Sequence, residues 1–222
     1  SGSVLSDTVL REPELSVSSE MLDQLAAGHE TAGITMTFLT WHLSQDLELQ
    51  KALRAELLTL DHPLTCPPSF ALSSAEQSFK YGEEDSLNAI QMPSSKQLDI
   101  LPILHAVIME TLRLKAAIPG NQPRMTPYPS CTLGNYEIPG GVRVGAAAYS
   151  LHRNSSVYPS PHKWDHTRWL DNSDQNEEAR RERDRWFWAF SSGGRMCIGS
   201  NFAMHGKSTS AARNRHLTCP QR

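Results

Sequence analysis

The sequence predicts a mainly α-helical protein with a small β-sheet. Residues 19–60 read as helix, and residues 98–115 carry apolar side chains on most faces of a further helix. Between 116 and 150 the punctuation changes to Pro and Gly, with a Gly-Asn turn separating two short alternating runs. That pattern belongs to paired strands.

In chain order, the serines at 18–19 are suited to capping the first helix, and Glu20 and Asp23 favour its positive end. Asp46 is placed to start a second helix, with Leu49, Ala52, Leu53 and Leu57 as its apolar stripe. Residues 61–97 are rich in Ser and Pro and read as a long loop or insertion. After the helix at 98–115 and the sheet, residues 151–170 read as a loop rich in aromatic residues. The mixed charge run at 171–185 reads as a solvated face or mobile loop. A last helix should begin near Ser200, but residues 206–222 offer no apolar face to continue it, and disorder is expected there.

Composition narrows the function classes. The chain has 222 residues, 39% hydrophobic and 20% charged, which suits a globular protein with a real core. A net charge of −3 leaves no polybasic footprint, so no nucleic-acid partner is expected. Cys66, Cys131, Cys197 and Cys219 are scattered without a C-x-x-C pair. This argues against a disulfide scaffold and a zinc ribbon, and fits a reducing compartment. No run of about 18 apolar residues is present to span a bilayer. The chain opens at Ser1 with no signal-peptide pattern.

Three constellations carry chemistry. FSSGGRMCIG (190–199) surrounds Cys197 with Gly193, Gly194, Gly199 and Arg195. The glycines let the chain curl and a flat ligand approach the backbone. Backbone N–H groups and a helix starting at Ser200 would stabilise a thiolate. Arg195 could pair with an acidic ligand edge, and Phe190 could shield the sulfur from water. A structural cysteine in a glycine turn and a nucleophilic cysteine with a His base are the competing readings of these residues.

ETLR puts Glu110 and Arg113 at i,i+3 on one helical face, an arrangement more often a surface ion pair than a buried one. Here apolar neighbours predict burial, which demands a third partner, and Arg168 is the candidate. In AAGHETAG (26–33), Thr31 can bond back to a carbonyl one turn earlier and distort the helix. Glu30 and Thr31 then offer a carboxylate and a hydroxyl for proton relay, although ordinary helix surface would look the same. HETAG is not a zinc-binding H-E-x-x-H, because position 33 is Gly.

Together these segments resemble the cytochrome P450 family, in the family's order. FSSGGRMCIG matches the haem-binding signature F-x-x-G-x-R-x-C-x-G at every specified position, AGHET matches A-G-x-E/D-T, and ETLR matches E-x-x-R. PRMTP (123–127) and the LHRN…YP…RW stretch are also similar. The resemblance, to a fungal-like, microsomal-type member, runs from about residue 15 to 205. It implies the C-terminal half of the cytochrome P450 fold as a partial domain over 1–205, with an insertion at about 61–97 and an aberrant tail at 206–222.

The resemblance also implies roles. Cys197 would be the axial thiolate on the iron of haem b (iron protoporphyrin IX). Phe190, Gly193 and Gly199 would shape its loop, and Arg195 and Arg124 would meet the propionates. Ala27, Gly28, Glu30 and Thr31 would border bound O2, with Thr31 and Glu30 catalytic. Glu110, Arg113 and Arg168 would form a buried structural triad. The implied reaction inserts one oxygen atom of O2 into a small hydrophobic organic substrate, with electrons from NADPH through NADPH–cytochrome P450 reductase. The full-length protein would sit on the endoplasmic reticulum membrane.

Two departures qualify this expectation. The loop usually reading P-E-R-F has His166-Thr167-Arg168-Trp169, and the last helix loses its resemblance after Met204. A truncated, non-catalytic fragment with weak or no haem binding is one alternative, motivated by the aberrant tail and by the absence of the family's first half from this sequence. A haem-thiolate isomerase or dehydratase is another, and the Glu30–Thr31 pair weighs against it.

Overall fold

The computed structural model describes residues 12–60, 93–170 and 177–212. Its first helix, α1 (Pro13–Ser44), starts at a proline rather than at the predicted serines. Proline suits that position, because its missing N–H would have no helical partner there. Ser18 and Ser19 consequently lie inside the helix.

Asp46 starts α2 (Leu47–Leu57) as predicted, its side chain accepting from the Leu49 N–H at 2.9 Å. Leu49, Leu53 and Leu57 are buried at i,i+4 spacing, whereas Ala52, expected in the same stripe, faces solvent.

The predicted helix at 98–115 is divided. A short α3 (Ser95–Asp99) carries a capping box between Ser94 and Gln97, so the predicted loop ends before residue 97. The rest of that loop, 61–92, lies outside the described residues. α4 (Pro102–Leu114) then restarts at Pro102, which has no N–H with which to continue α3. Two of its free N–H groups are satisfied from α2. Glu56 accepts from Ile103 N–H at 2.7 Å and from Leu104 N–H at 2.8 Å. Burial raises the Glu56 carboxyl above the ordinary glutamate range, and these bonds oppose the rise.

Two antiparallel ladders replace the single expected sheet. β1 (Asn121–Met125) pairs with β4 (Arg143–Ala147), and β2 (Ser130–Leu133) pairs with β3 (Tyr136–Pro139). The predicted Gly-Asn turn closes the inner hairpin, with Gly134 at φ +60°. Thr126 keeps the ladders separate by tying the hairpin's base. Its hydroxyl donates to Pro139 O at 2.7 Å and accepts from Val142 N–H at 3.0 Å.

Then come α5 (Ala148–Leu151), a 3-10 turn at His166–Trp169, α6 (Glu177–Trp186) and α7 (Ser200–Ala212). The charge run is thus helical from 177, held by Glu177–Arg181 and Glu182–Arg185 pairs on a face that buries nothing. α7 continues past residue 206, where disorder was expected. Ser208, Ala211 and Ala212 are small enough to be buried as α7 packs on α1, α3 and α4. Residues 213–222 of the expected tail lie outside the described residues. The main core joins Leu39 of α1, Leu53 of α2, Leu98 of α3, and Leu104 and Ile108 of α4 with Ala211 of α7.

Candidate active site

Helical spacing brings Glu110 and Arg113 together on α4. Arg113 Nε donates to Glu110 Oε2 at 2.8 Å and Nη2 donates to Oε1 at 2.7 Å, with both side chains 0% exposed. A fork of this kind is the strong form of the ion pair, but burying it costs heavily unless every remaining group is met. Here they are met. Arg113 Nη1 donates to His152 O at 2.8 Å and Pro161 O at 2.9 Å, and Nη2 to Lys163 O at 3.1 Å. Glu110 accepts from Asp165 N–H at 2.9 Å, from Trp169 Nε1 at 2.9 Å and from the predicted third partner, Arg168 Nε, at 3.3 Å.

One buried partner was not foreseen. His152 follows α5, inside the LHRN motif, and is 0% exposed. Its Nδ1 lies 2.7 Å from Arg113 O, and its Nε2 accepts the Trp188 N–H at 2.7 Å. Burial depresses its pKa to about 4, and the neighbouring Arg113 and Arg153 charges act in the same direction. The ring is therefore neutral at pH 7. The LHRN resemblance marks the stretch, but nothing local in sequence points to the ring's partners, which lie far along the chain.

Trp188 opens the cysteine loop. Ser191 N–H donates back to Trp188 O at 3.2 Å, and positive φ at Ser191 (63°) and Gly193 (68°) turns the chain. Cys197 N–H then donates to Phe190 O at 2.9 Å, and Ser200 N–H to Cys197 O at 3.3 Å as α7 begins. Arg124 reaches across from β1, Nη2 donating to Ser191 Oγ at 3.3 Å. Arg195 is exposed in the loop, with no hydrogen bond or ion pair to another described residue.

The Cys197 thiol is free and exposed, unusual for a residue type that is ordinarily buried. Beside it Ile198 is 88% and Phe202 83% exposed. A Cβ on Gly199 would stand 3.9 Å from the sulfur, so glycine keeps that flank bare. Phe190 is backed by Lys207, whose Nζ lies 5.0 Å from the ring centroid. Burial lowers the Lys207 pKa, and Cys197 acts in the opposite direction.

The AGHET segment is only partly joined to this assembly. Thr31 Oγ1 donates to Ala27 O at 2.7 Å, the predicted back-bond, yet α1 remains helical through Gly28 and Gly33 rather than distorted. Ala27, Gly28 and Glu30 are exposed and Thr31 is half-buried. Among the described residues no hydrogen bond or ion pair links Glu30 or Thr31 to the cysteine loop. They are related to it by the packing of α1 on α4 and α7.

The donor set fits a haem. It comprises one accessible sulfur on a bare glycine flank, exposed apolar side chains beside it, and two guanidiniums, Arg124 and Arg195, in or against the same loop.

Comparison with known proteins agrees with that chemistry. The family model for Cytochrome P450 matches residues 83–208, more than half of the chain. The chain is 31% identical over 180 residues to "Cytochrome P450 monooxygenase orf2" of Aspergillus niger, covering 81% of this chain and 30% of that protein. It is 34% identical over 175 residues to "Cytochrome P450 monooxygenase stcB" of Emericella nidulans, covering 79% and 28%. Its fold is similar to the crystal structure of the cytochrome P450DA heme domain, with a TM-score of 0.58 at 23% identity, covering 85% of this chain and 34% of that one. The chain thus spans about a third or less of the length of these relatives.

Proposed function

Since the chain belongs to the cytochrome P450 family of haem-thiolate monooxygenases, with haem as cofactor, we propose that it supplies the sulfur ligand and the proton-relay face of such an enzyme. The observation that carries this reading is the exposed Cys197 thiol, set on a backbone-fixed loop with bare Gly199 beside it. Bound haem iron would supply oxygen activation, which the thiolate promotes by donating electron density.

The chain's own residues have distinct tasks. Cys197 presents its sulfur, and the Phe190 O···H–N Cys197 bond fixes that presentation. Arg124 and Arg195 orient the acidic edge of the cofactor. Phe190 would help to shield the sulfur once the cofactor covers its exposed side. Thr31 holds a proton at Oγ1, and the exposed carboxylate of Glu30 takes protons from water one residue away. Ala27 and Gly28 leave their stretch of α1 without bulk. Glu110, Arg113 and Arg168 hold the loop side of the core rigid. In the whole protein the substrate is a small hydrophobic organic molecule, O2 is the co-substrate, and electrons come from NADPH through NADPH–cytochrome P450 reductase at the endoplasmic reticulum membrane. The relatives' names support the oxygenase class, and the electron source and location rest on the sequence resemblance alone.

A second reading has its own observation. Leu15, Met21, Leu22 and Leu25 of α1 are all exposed, so the helix bearing Glu30 and Thr31 is open to water over its N-terminal half. On that reading the 222-residue chain is non-catalytic and binds haem weakly or not at all. Haem added to the chain, reduced and exposed to carbon monoxide, tests the main reading. A thiolate-type Soret band in the wild type that is lost in Cys197→Ala supports it, and identical spectra refute it. Turnover of any substrate by this chain with a reductase excludes the second reading.

A further inference from the structure

Few hydrogen bonds anchor the cysteine loop to the rest of the fold. Among those described, two join residues 187–197 to residues before 180. Trp188 N–H donates to His152 Nε2 at 2.7 Å, and Arg124 Nη2 donates to Ser191 Oγ at 3.3 Å. The first is shorter and uses a fully buried imidazole. Its geometry also fixes the state of the ring. Arg113 O can only accept, so the Nδ1 atom 2.7 Å away must carry the proton. Nε2 is then left with the lone pair that the Trp188 N–H requires.

The buried ring lies between two aromatic neighbours. Phe187 stacks on it at 5.4 Å with an interplanar angle of 16°, and Tyr158 meets it edge-on at 6.3 Å. The backbone of His152 is held as well, since its carbonyl accepts from Arg113 Nη1 at 2.8 Å. Arg113 therefore grips His152 at its carbonyl and its ring, and the far side of the ring grips the loop. From Trp188 the restraint passes along the loop through Ser191 N–H to Trp188 O, and through Cys197 N–H to Phe190 O.

We propose that His152, held as its Nδ1–H tautomer, is a positioning residue that sets where Cys197 presents its sulfur relative to the Glu110–Arg113 pair. The role touches neither cofactor nor substrate, and its functional meaning rests on Cys197 being the haem ligand. A phenylalanine there would keep the stack on Phe187 but lose both polar ends. A glutamine would keep one donor and one acceptor. The charged and titratable groups that face the ring are Arg113 from α4, Arg153 next in the chain and Tyr158. Both cations oppose an imidazolium, so the accepting lone pair persists at neutral pH.

The test uses the full chain, first without haem. Side-chain nitrogen shifts of His152 should report the neutral Nδ1–H form at pH 7. Amide hydrogen exchange at Trp188 and Cys197 should quicken at least about tenfold in His152→Phe, with Val107 and Ile108 of α4 unchanged, and recover in His152→Gln. In the haem-loaded chain the thiolate-type band should weaken in His152→Phe and return in His152→Gln. An Nε2–H tautomer or an imidazolium in the wild type overturns the proposal. Unchanged Cys197 exchange in a folded His152→Phe chain overturns it too. Should His152→Phe not fold, the wild-type tautomer and the protection of Cys197 in His152→Gln decide. Loss of that protection in the glutamine variant contradicts the proposal. If the exchange results hold while no thiolate band forms even in the wild type, the haem reading fails and the positioning role stands.

Discussion

Trp169 donates its indole N–H to Glu110 Oε2 at 2.9 Å, among the described residues the one side-chain bond to that oxygen from outside α4. The position matters because the 3-10 turn at His166–Trp169 brings Arg168 and Trp169 to the same carboxylate, one on each oxygen. Trp169→Phe should keep the aromatic packing and lose this bond, costing about 1.5–3 kcal/mol. Glu110→Gln strands a buried Arg113 and should cost about 3–5 kcal/mol. Urea denaturation midpoints measure both, and the glutamine variant should be the worse of the two.

Glu56 links α2 to the start of α4, and its folded pKa lies above its unfolded value because of burial. The folded chain therefore holds this proton more tightly than the unfolded one. That contribution is full below the ordinary glutamate value and is lost as pH rises through the raised one. Glu56→Gln removes the linkage. Stability measured from pH 4 to pH 7 should show a component that falls with pH in the wild type and is missing from the variant.

His152 has the opposite sign. Its folded pKa, about 4, lies below the unfolded 6.5, so its contribution is full above pH 6.5 and is lost as pH falls towards 4. The loss reaches about 3 kcal/mol at most. The wild type should lose more stability across that window than His152→Gln. His42, His105 and His166 are also lowered by burial and contribute to both chains alike, so the difference belongs to His152.

Lys207 is 3% exposed, with its ammonium against the Phe190 ring. The cation–π contact recovers only about 0.5–2 kcal/mol of the desolvation cost. Lys207→Met has a similar shape without the charge, so it should stabilise the chain by about 1 kcal/mol at pH 7. The gain should shrink as pH rises, since the lowered lysine pKa makes the wild type relatively more stable towards high pH. Thermal unfolding at neutral and alkaline pH checks both parts.

What was legible in the sequence was local. Asp46 caps a helix whose third residue it reaches, Gly134 and Asn135 turn a hairpin between their own strands, and Glu110 and Arg113 meet within one turn. The loop around Cys197 was legible for the same reason, since its glycines and its sulfur are neighbours in the chain. Three features were not legible. His152 bonds to Arg113 and Trp188, which lie 39 and 36 positions away, and no periodicity connects them. Ser208, Ala211 and Ala212 lack an apolar face yet are buried, because their small size lets α7 approach its neighbours. The charge run of α6 shows no apolar stripe, and its helix is read only from ion pairs at i,i+3 and i,i+4.

Iron X-ray absorption on the haem-loaded chain tests the central assignment most directly. The account predicts one sulfur in the iron's first coordination shell in the wild type and none in Cys197→Ser, with the variant still folded. A sulfur that survives the substitution, or an iron bound only by nitrogen and oxygen in the wild type, would contradict it.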